Sequence, residues 1–249
     1  MPTTTQDSSI AALLRDDILR GQYRCGERLP SERDLALRFG VHRSTVREAF
    51  KRLEQLGVAR IAPGGARVAP LEEASLDIVE HLLALDDAPD PEIVDQVLEA
   101  LSGFRAMAAR LGTERADAAQ RARLLEIVDA MSRSGLGNEE YAELVLELSD
   151  RFVEASGNMV LRLMGHALRP QRAHTRLGYG LFSDPPGRAE VDAALEQLAR
   201  AIEAADGTRA SEAIYGLSRL FRQSLRERSS AAEARATRPN RTALAGGRA

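Results

Sequence analysis

Residues 29–57, LPSERDLALRFGVHRSTVREAFKRLEQLG, constrain the fold more than any other stretch of the 249-residue chain, because they hold two helical patterns separated by only three or four residues. The first pattern has a start signal: Ser31 follows Pro30 and can cap, and Asp34 places an acid in the first turn. Leu35, Ala36 and Phe39 share one side, and Gly40 supplies a stop. The second begins near His42, an unorthodox cap, with Val41 and Val46 spaced as a hydrophobic staple. Val46, Ala49, Phe50, Leu53 and Leu56 then recur at helical spacing, which turns Arg43, Ser44, Arg47 and Lys51 outward.

A helix pair joined by so short a turn, with a cationic outer face on its second member, has the layout that enters a DNA major groove. Arg43 and Arg47 stand at i and i+4 over the first two turns, and a guanidinium fork can hold guanine O6 and N7 together. Ser44 and Thr45 can reach phosphate or a base edge. The plain alternative for any such stripe is a solvated basic face. The segment after Gly57 weighs against that alternative. Residues 58–61 and 66–68 are short strand patterns split by Pro63-Gly64-Gly65, a hairpin placed where a wing would stand. Gly64 and Gly65 permit close backbone approach, and Arg67 can lie along a phosphate or in a minor groove.

Charge is divided along the chain. Residues 1–70 carry 12 Lys and Arg against 8 Asp and Glu, whereas the rest carries 22 against 29, so the formal −3 hides a basic end. That end is the nucleic-acid end. Lys51 is the only lysine, which reads as genomic base bias. A single cysteine, Cys25, excludes an internal disulfide or a cysteine metal cluster and fits a reduced cytoplasm. No apolar run reaches eighteen residues and the start, MPTTTQDSSI, has no signal-peptide pattern, so the expectation is a soluble cytoplasmic protein without a membrane partner.

Ile10, Leu14 and Ile18 put a helix over residues 9–19, and the Pro and Gly content of residues 62–70 places a domain boundary after the wing. The expected organisation is a winged helix-turn-helix domain over 1–70, an all-α domain over 71–228 and a disordered tail over 229–249, rich in Ala, Arg, Gly and Pro. Helices are predicted near 73–87, 91–111, 114–133, 139–156, 158–178, 188–206 and 208–228. The fold class is therefore mainly α, with a C-terminal bundle of about seven helices able to enclose a pocket.

The motif LPSERDLALRFGVHRSTVREAFKRLEQLGV resembles the N-terminal signature of the GntR superfamily of bacterial transcription regulators, which runs LPSERELA, GVSRxTVREAL, LxxxG and then a wing. The resemblance implies DNA contacts at Arg33, Arg43 and Arg47, with Thr45 nearby and Gly64 and Gly65 in the wing tip. It also implies a homodimer on a palindromic double-stranded operator. His42 stands where the pattern has a cap serine and Cys25 where proline is common, and neither removes a contact residue.

The second domain resembles FCD domains, and among them the FadR-type subgroup, through LEEASLDIVEHLLALDDAPDPEIVDQVLEALSGFR, the ASGN at 155–158 and TRLGYGLFSDPPGR. Many FCD domains hold a metal with one Asp and three His; by the resemblance those positions are Val145, Ser149, Leu195 and Leu217 here. Aliphatic side chains cannot ligate a divalent cation, and His81, His166 and His174 lack matching spacing, so no metal and no cofactor is expected. The subgroup binds fatty acyl-CoA with a Tyr, a Gly, a Ser and a Trp of its last helix, where this chain has Leu217, Ser218, Phe221 and Leu225. That implies a small-molecule effector, a fatty acyl-CoA or related lipid, with a small organic acid of carbon metabolism as the alternative. Candidate effector contacts are Arg105, Asn158, Arg176, Tyr179 and Phe221; the two arginines and the tyrosine suit a carboxylate or phosphate, or equally a structural ion pair.

Enzymatic function is excluded on content: the chain has no Gly-rich phosphate loop, nucleophile elbow, HExxH or Cys-His pairing in motif context. A non-specific chromatin-type binder would be basic throughout, and the larger domain is acidic.

Overall fold

The computed structural model describes residues 3–86, 89–133, 136–168 and 188–236. It divides into two compact units, Met1–Asp90 and Pro91–Ala249. The first contains α1 (Thr3–Leu19), α2 (Glu32–Phe39), α3 (Arg43–Gln55), β1 (Ala59–Ala62), β2 (Gly65–Val68), a 3-10 turn (Leu71–Glu73) and α4 (Ile78–Leu83).

Local chemistry accounts for the helix pair. Ser31 Oγ accepts from the backbone N–H of Asp34 at 3.2 Å, satisfying an orphan donor of α2, and Gly40 ends that helix in the left-handed region at φ 66°. His42 has the extended backbone of a cap but makes no side-chain cap bond, so α3 starts without one. Its entry is held instead by Val46, which is fully buried, and by Val41 packed on the same core. Leu14 of α1, Leu35 of α2, and Phe50 and Leu53 of α3 close the centre of the unit.

The hairpin pairs Ala59 with Val68 and Ala62 with Gly65, leaving Pro63 and Gly64 at the turn. Gly64 and Gly65 take φ values of 104° and 125°, a region closed to residues with a Cβ, which is why glycine stands there. The segment before α2 lies along β2 through an isolated bridge between Arg28 and Arg67: Leu29 N–H donates to Ala66 O, Gly26 N–H donates to Val68 O, and Val68 N–H donates to Glu27 O, all at 2.9 Å.

The unit boundary falls at residues 90/91, twenty residues beyond the position expected after the wing. The predicted helix over 73–87 is only the 3-10 turn and the six residues of α4. Ile78 is buried in the first unit's core, with Val79 and Leu82 packed against it, so this segment belongs with the winged module by packing.

The second unit holds α5 (Pro91–Arg115), α6 (Ala118–Ser132), α7 (Asn138–Ala155), α8 (Met159–Ala167), α9 (Arg188–Glu203) and α10 (Gly207–Ala236), six helices among the described residues. α5 packs on both α7 and α10, and α9 packs on α6 and α10. Gly112 makes the α5–α7 approach possible, since a Cβ there would sit 2.6 Å from Phe152 O. Asp117 and Gln120 form a reciprocal capping box at the start of α6. α10 continues to Ala236, so the first eight residues assigned to a disordered tail are helical, and residues 237–249 lie outside the described set. No described helix is long and apolar enough to cross a membrane.

Candidate DNA-reading face and effector cavity

The outward stripe of α3 is as its periodicity predicts: Arg43, Ser44, Arg47 and Lys51 are all exposed, as is Arg33 on α2. Thr45, expected beside Ser44 to reach phosphate or a base edge, is only 7% exposed and lies on the shoulder of the face that also holds Ala49 and Leu53.

Arg47 is already engaged. Its Nε and Nη2 donate to Glu32 Oε1 and Oε2 at 3.0 and 2.9 Å, a two-pronged pair between the first residue of α2 and the second turn of α3. The hydrogen bond to Arg47, reinforced by the charges of Arg47 and Arg43, holds the Glu32 carboxyl below its ordinary value. Lys51 Nζ pairs with Glu48 Oε1 at 2.8 Å on the same helix. Among the described residues neither Arg33 nor Arg43 makes an ion pair, so these are the open cations of the face.

On the wing, Arg67 is exposed, but its Nη1 donates to Gly26 O at 3.0 Å, which draws it toward the base of the hairpin. Arg28, in an isolated bridge with Arg67, reaches the tip, with Nε 3.1 Å from where a Cβ of Gly65 would lie. Sequence reasoning misses Arg28 and Glu32. No local pattern places Arg28 at the wing, since Glu27 and Arg28 are both exposed and only Leu29 is buried, and nothing local predicts that Glu32 faces Arg47.

In the second unit, Val145, Ser149 and Leu217, three of the positions matched to family metal ligands, line one small cavity with Arg105, Ser218 and Phe221. Leu195 is fully buried in the same core. Ser149 and Ser218 donate to the carbonyls of Val145 and Ile214, four residues back on their own helices. Neither hydroxyl is a ligand-ready donor there. Among the described residues no three His, Cys, Asp or Glu come together to hold a metal, and this apolar donor set does not fit one.

Arg105 is the exception in this lining. It is only 9% exposed, and its Nε and Nη2 are buried with no hydrogen-bond partner among the described residues. A buried guanidinium left without a counter-charge is costly, and among the described residues none faces it. Phe221 lies against Tyr141 with ring centroids 6.1 Å apart. The open volume is about 30 Å³, room for one or two waters. A larger concavity of about 730 Å³ beside α7 and α8 is lined by Glu147, Asp150, Arg151 and Arg162, a charged surface unsuited to an apolar ligand.

Asn158, expected to contact the effector, does something else. Its Oδ1 accepts from Val160 and Leu161 N–H at 2.9 and 3.2 Å, making it the N-cap of α8, and it does not line the cavity. Arg176 and Tyr179 lie outside the described residues.

A winged helix-turn-helix followed by an all-helical unit is the architecture of a DNA-binding transcription regulator with a second, helical domain. The gntR family model of bacterial regulatory proteins matches residues 6–68 and the FCD domain model matches residues 96–219. The chain is 32% identical over 215 residues to the HTH-type transcriptional regulator Mce2R of Mycobacterium tuberculosis (strain CDC 1551 / Oshkosh), covering 84% of this chain and 87% of that protein. A fatty acid metabolism regulator protein of Klebsiella pneumoniae subsp. pneumoniae is 29% identical over 192 residues, 76% and 77% of the two chains. Lar, which controls expression of the Listeria monocytogenes agr system, superposes with a TM-score of 0.53 at 18% identity over 90% of this chain and 98% of that one, a likeness of fold alone. The chain belongs to the GntR family, in its FadR-type, FCD-containing branch: it is a DNA-binding transcription regulator with a helical effector-binding domain, and not an enzyme.

Proposed function

We propose that the protein binds a palindromic operator as a homodimer. Arg33, Arg43, Ser44 and Arg47 are assigned to the major groove and its phosphates, Thr45 supports them from beneath, and Gly64, Gly65, Arg28 and Arg67 contact the flanking backbone or minor groove. One winged module reads only a few base pairs, so useful specificity calls for two related by a two-fold axis. Sedimentation of the free protein and of its complex with a palindromic duplex tests the dimer; one protein per palindrome would overturn it.

The effector is proposed to be an acyl-chain ligand with an anionic group, placed on Arg105, with its chain among Val145, Leu217 and Phe221. The buried guanidinium, whose Nε and Nη2 have no partner among the described residues, in a largely apolar cavity carries this reading, and the name borne by the Klebsiella relative supports the lipid class. A cavity of about 30 Å³ must open to admit a chain, so the ligand would select an expanded arrangement and shift the population by its preference for it. A long chain can supply such a preference at about 0.8 kcal/mol per buried methylene. The small volume specifically favours the second reading, a small organic acid on the same arginine. Competition with a fluorescent operator in the presence of EDTA separates the two. Release by long-chain acyl-CoA or fatty acid, abolished in Arg105→Met, supports the lipid; release by small carboxylates alone supports the acid; release that EDTA blocks overturns the metal-free site.

A further inference from the structure

We infer that Glu32 is a positioning residue for base readout: by gripping the Nε–Nη2 edge of Arg47, it fixes the guanidinium so that only the Nη1–Nη2 edge faces the groove, which selects a guanine at that step. The inference rests on the proposed DNA-reading face and assigns a function to an acid within it.

Both carboxylate oxygens of Glu32 and two nitrogens of Arg47 take part, at 3.0 and 2.9 Å, so the guanidinium is fixed in rotation as well as in position. Surface ion pairs generally contribute little, and the bidentate arginine–carboxylate pair is the exception because its geometry is specified. A guanidinium has three nitrogens; with Nε and one hydrogen of Nη2 bound, Nη1 and the remaining Nη2 hydrogen still form a parallel pair of donors. Guanine O6 and N7 present the matching pair of acceptors in the major groove. The Glu32 side chain is 31% exposed and that of Arg47 62%, so the acid lies deeper and the arginine stands outward from it. α2 supports the acid further, because Glu32 is in its first turn, where a negative charge is favoured.

The presence of a carboxylate on a face that meets phosphates needs such a reason, since its charge alone weakens attraction to every DNA sequence. Charge and positioning therefore predict opposite signs for its removal. If Glu32 only repels phosphate, Glu32→Gln tightens binding to all duplexes alike. If it is a latch that must release Arg47 before any contact, the same uniform tightening results. If it positions Arg47, specific binding weakens while non-specific binding strengthens.

The probe is the duplex that the full-length wild-type protein enriches from a randomised library, together with single-base variants and a scrambled duplex. A wild-type protein that enriches no sequence would remove the DNA-reading assignment itself, apart from any role of Glu32. Given an enriched operator, the base pair read by Arg47 is the one at which Arg47→Ala relaxes preference. At that pair Glu32→Gln is expected to lose about five- to tenfold of the guanine preference, with unchanged or tighter binding to the scrambled duplex. In the Arg47→Ala background the same change should alter neither ratio by more than about twofold. Glu32→Asp keeps the charge but is one methylene short of the two-pronged pair, and should lose the preference without gaining non-specific affinity; it also carries the test if Glu32→Gln does not fold. Uniform tightening in Glu32→Gln, or an unchanged guanine preference in both variants, overturns the inference.

Discussion

On the proposed assignments each unit has a contact arginine, and the two are held in opposite ways. Arg47 stands in the open and has a partner; Arg105 is buried and has none among the described residues. For Arg47, water would satisfy the guanidinium at little cost, so the pair with Glu32 contributes orientation more than stability. For Arg105, burial leaves room for little water, and the lack of a counter-charge among the described residues is a penalty that a bound anion would relieve. If the proposed sites are right, one unit is organised in advance for DNA and the other is left to be completed by a small anion.

The sharpest way to break that contrast is Arg105→Met, which keeps volume and removes the charge. Replacing an uncompensated buried ion with an apolar side chain should stabilise the ligand-free protein by about 1–4 kcal/mol, read as a higher Tm, while removing any effector response in the operator assay. A lowered Tm would mean that Arg105 has a solution partner. The contrast with Arg47 would then fail.

The corresponding change in the other unit is Arg43→Ala. It should cost about 1–3 kcal/mol of operator affinity and relax preference at one base pair, with Tm nearly unchanged because the side chain is exposed. Arg28→Ala at the wing tip should instead weaken all sequences alike and reduce the slope of log K against log salt by about one, and by more than Arg67→Ala, whose guanidinium is turned toward Gly26. Equal effects of Arg28 and Arg67 would place both on phosphate. A sequence-dependent loss at Arg28 would make it a base reader.

How much of this is legible in the residues differs between the units for a physical reason. The winged module is made of short amphipathic pieces whose apolar spacing dictates which side is out, so Arg43, Ser44 and Arg47 can be placed from period alone. The same holds for Thr45, which stands four residues before Ala49 and therefore beside the buried stripe. Asn158 also carries its signal, an Asn directly before an apolar helical run, but the family resemblance draws attention to the motif and away from the cap. The Glu32–Arg47 pair is not legible. Those residues are fifteen positions apart and meet only through the crossing of α2 on α3, which local pattern does not encode. The segment of α4 is misplaced by sequence because Ile78, Val79 and Leu82 form an apolar face suited to either unit, and only packing decides which one covers it. Resemblance alone points to Arg105 as a cavity arginine; burial is what separates it from the many other arginines of an almost lysine-free chain.

The smallest predicted effect tests whether the second unit is as rigid around its cavity as its helix packing implies. Asp95 near the start of α5 accepts from Arg222 at 3.0 and 2.9 Å and from Arg226 at 3.2 and 2.7 Å on α10, tying the two helices together. The hydrogen bond from Arg222, then that from Arg226, hold the Asp95 carboxyl well below the usual carboxylate range. A carboxylate whose folded value is depressed contributes stability that is fully present above its unfolded value and is lost as pH falls toward the folded one. With an unfolded value near 3.9, the loss begins around pH 5 and should reach about 1 kcal/mol by pH 3. Asp95→Asn removes that titration, so its unfolding free energy should fall less steeply between pH 5 and 3 than the wild type's, from a lower starting value because Arg222, with its side chain only 14% exposed, is left without its main partner. Equal slopes in the two proteins would mean that the α5–α10 tie is open in solution, and that the cavity has a flexible wall where the structure shows a clamped one.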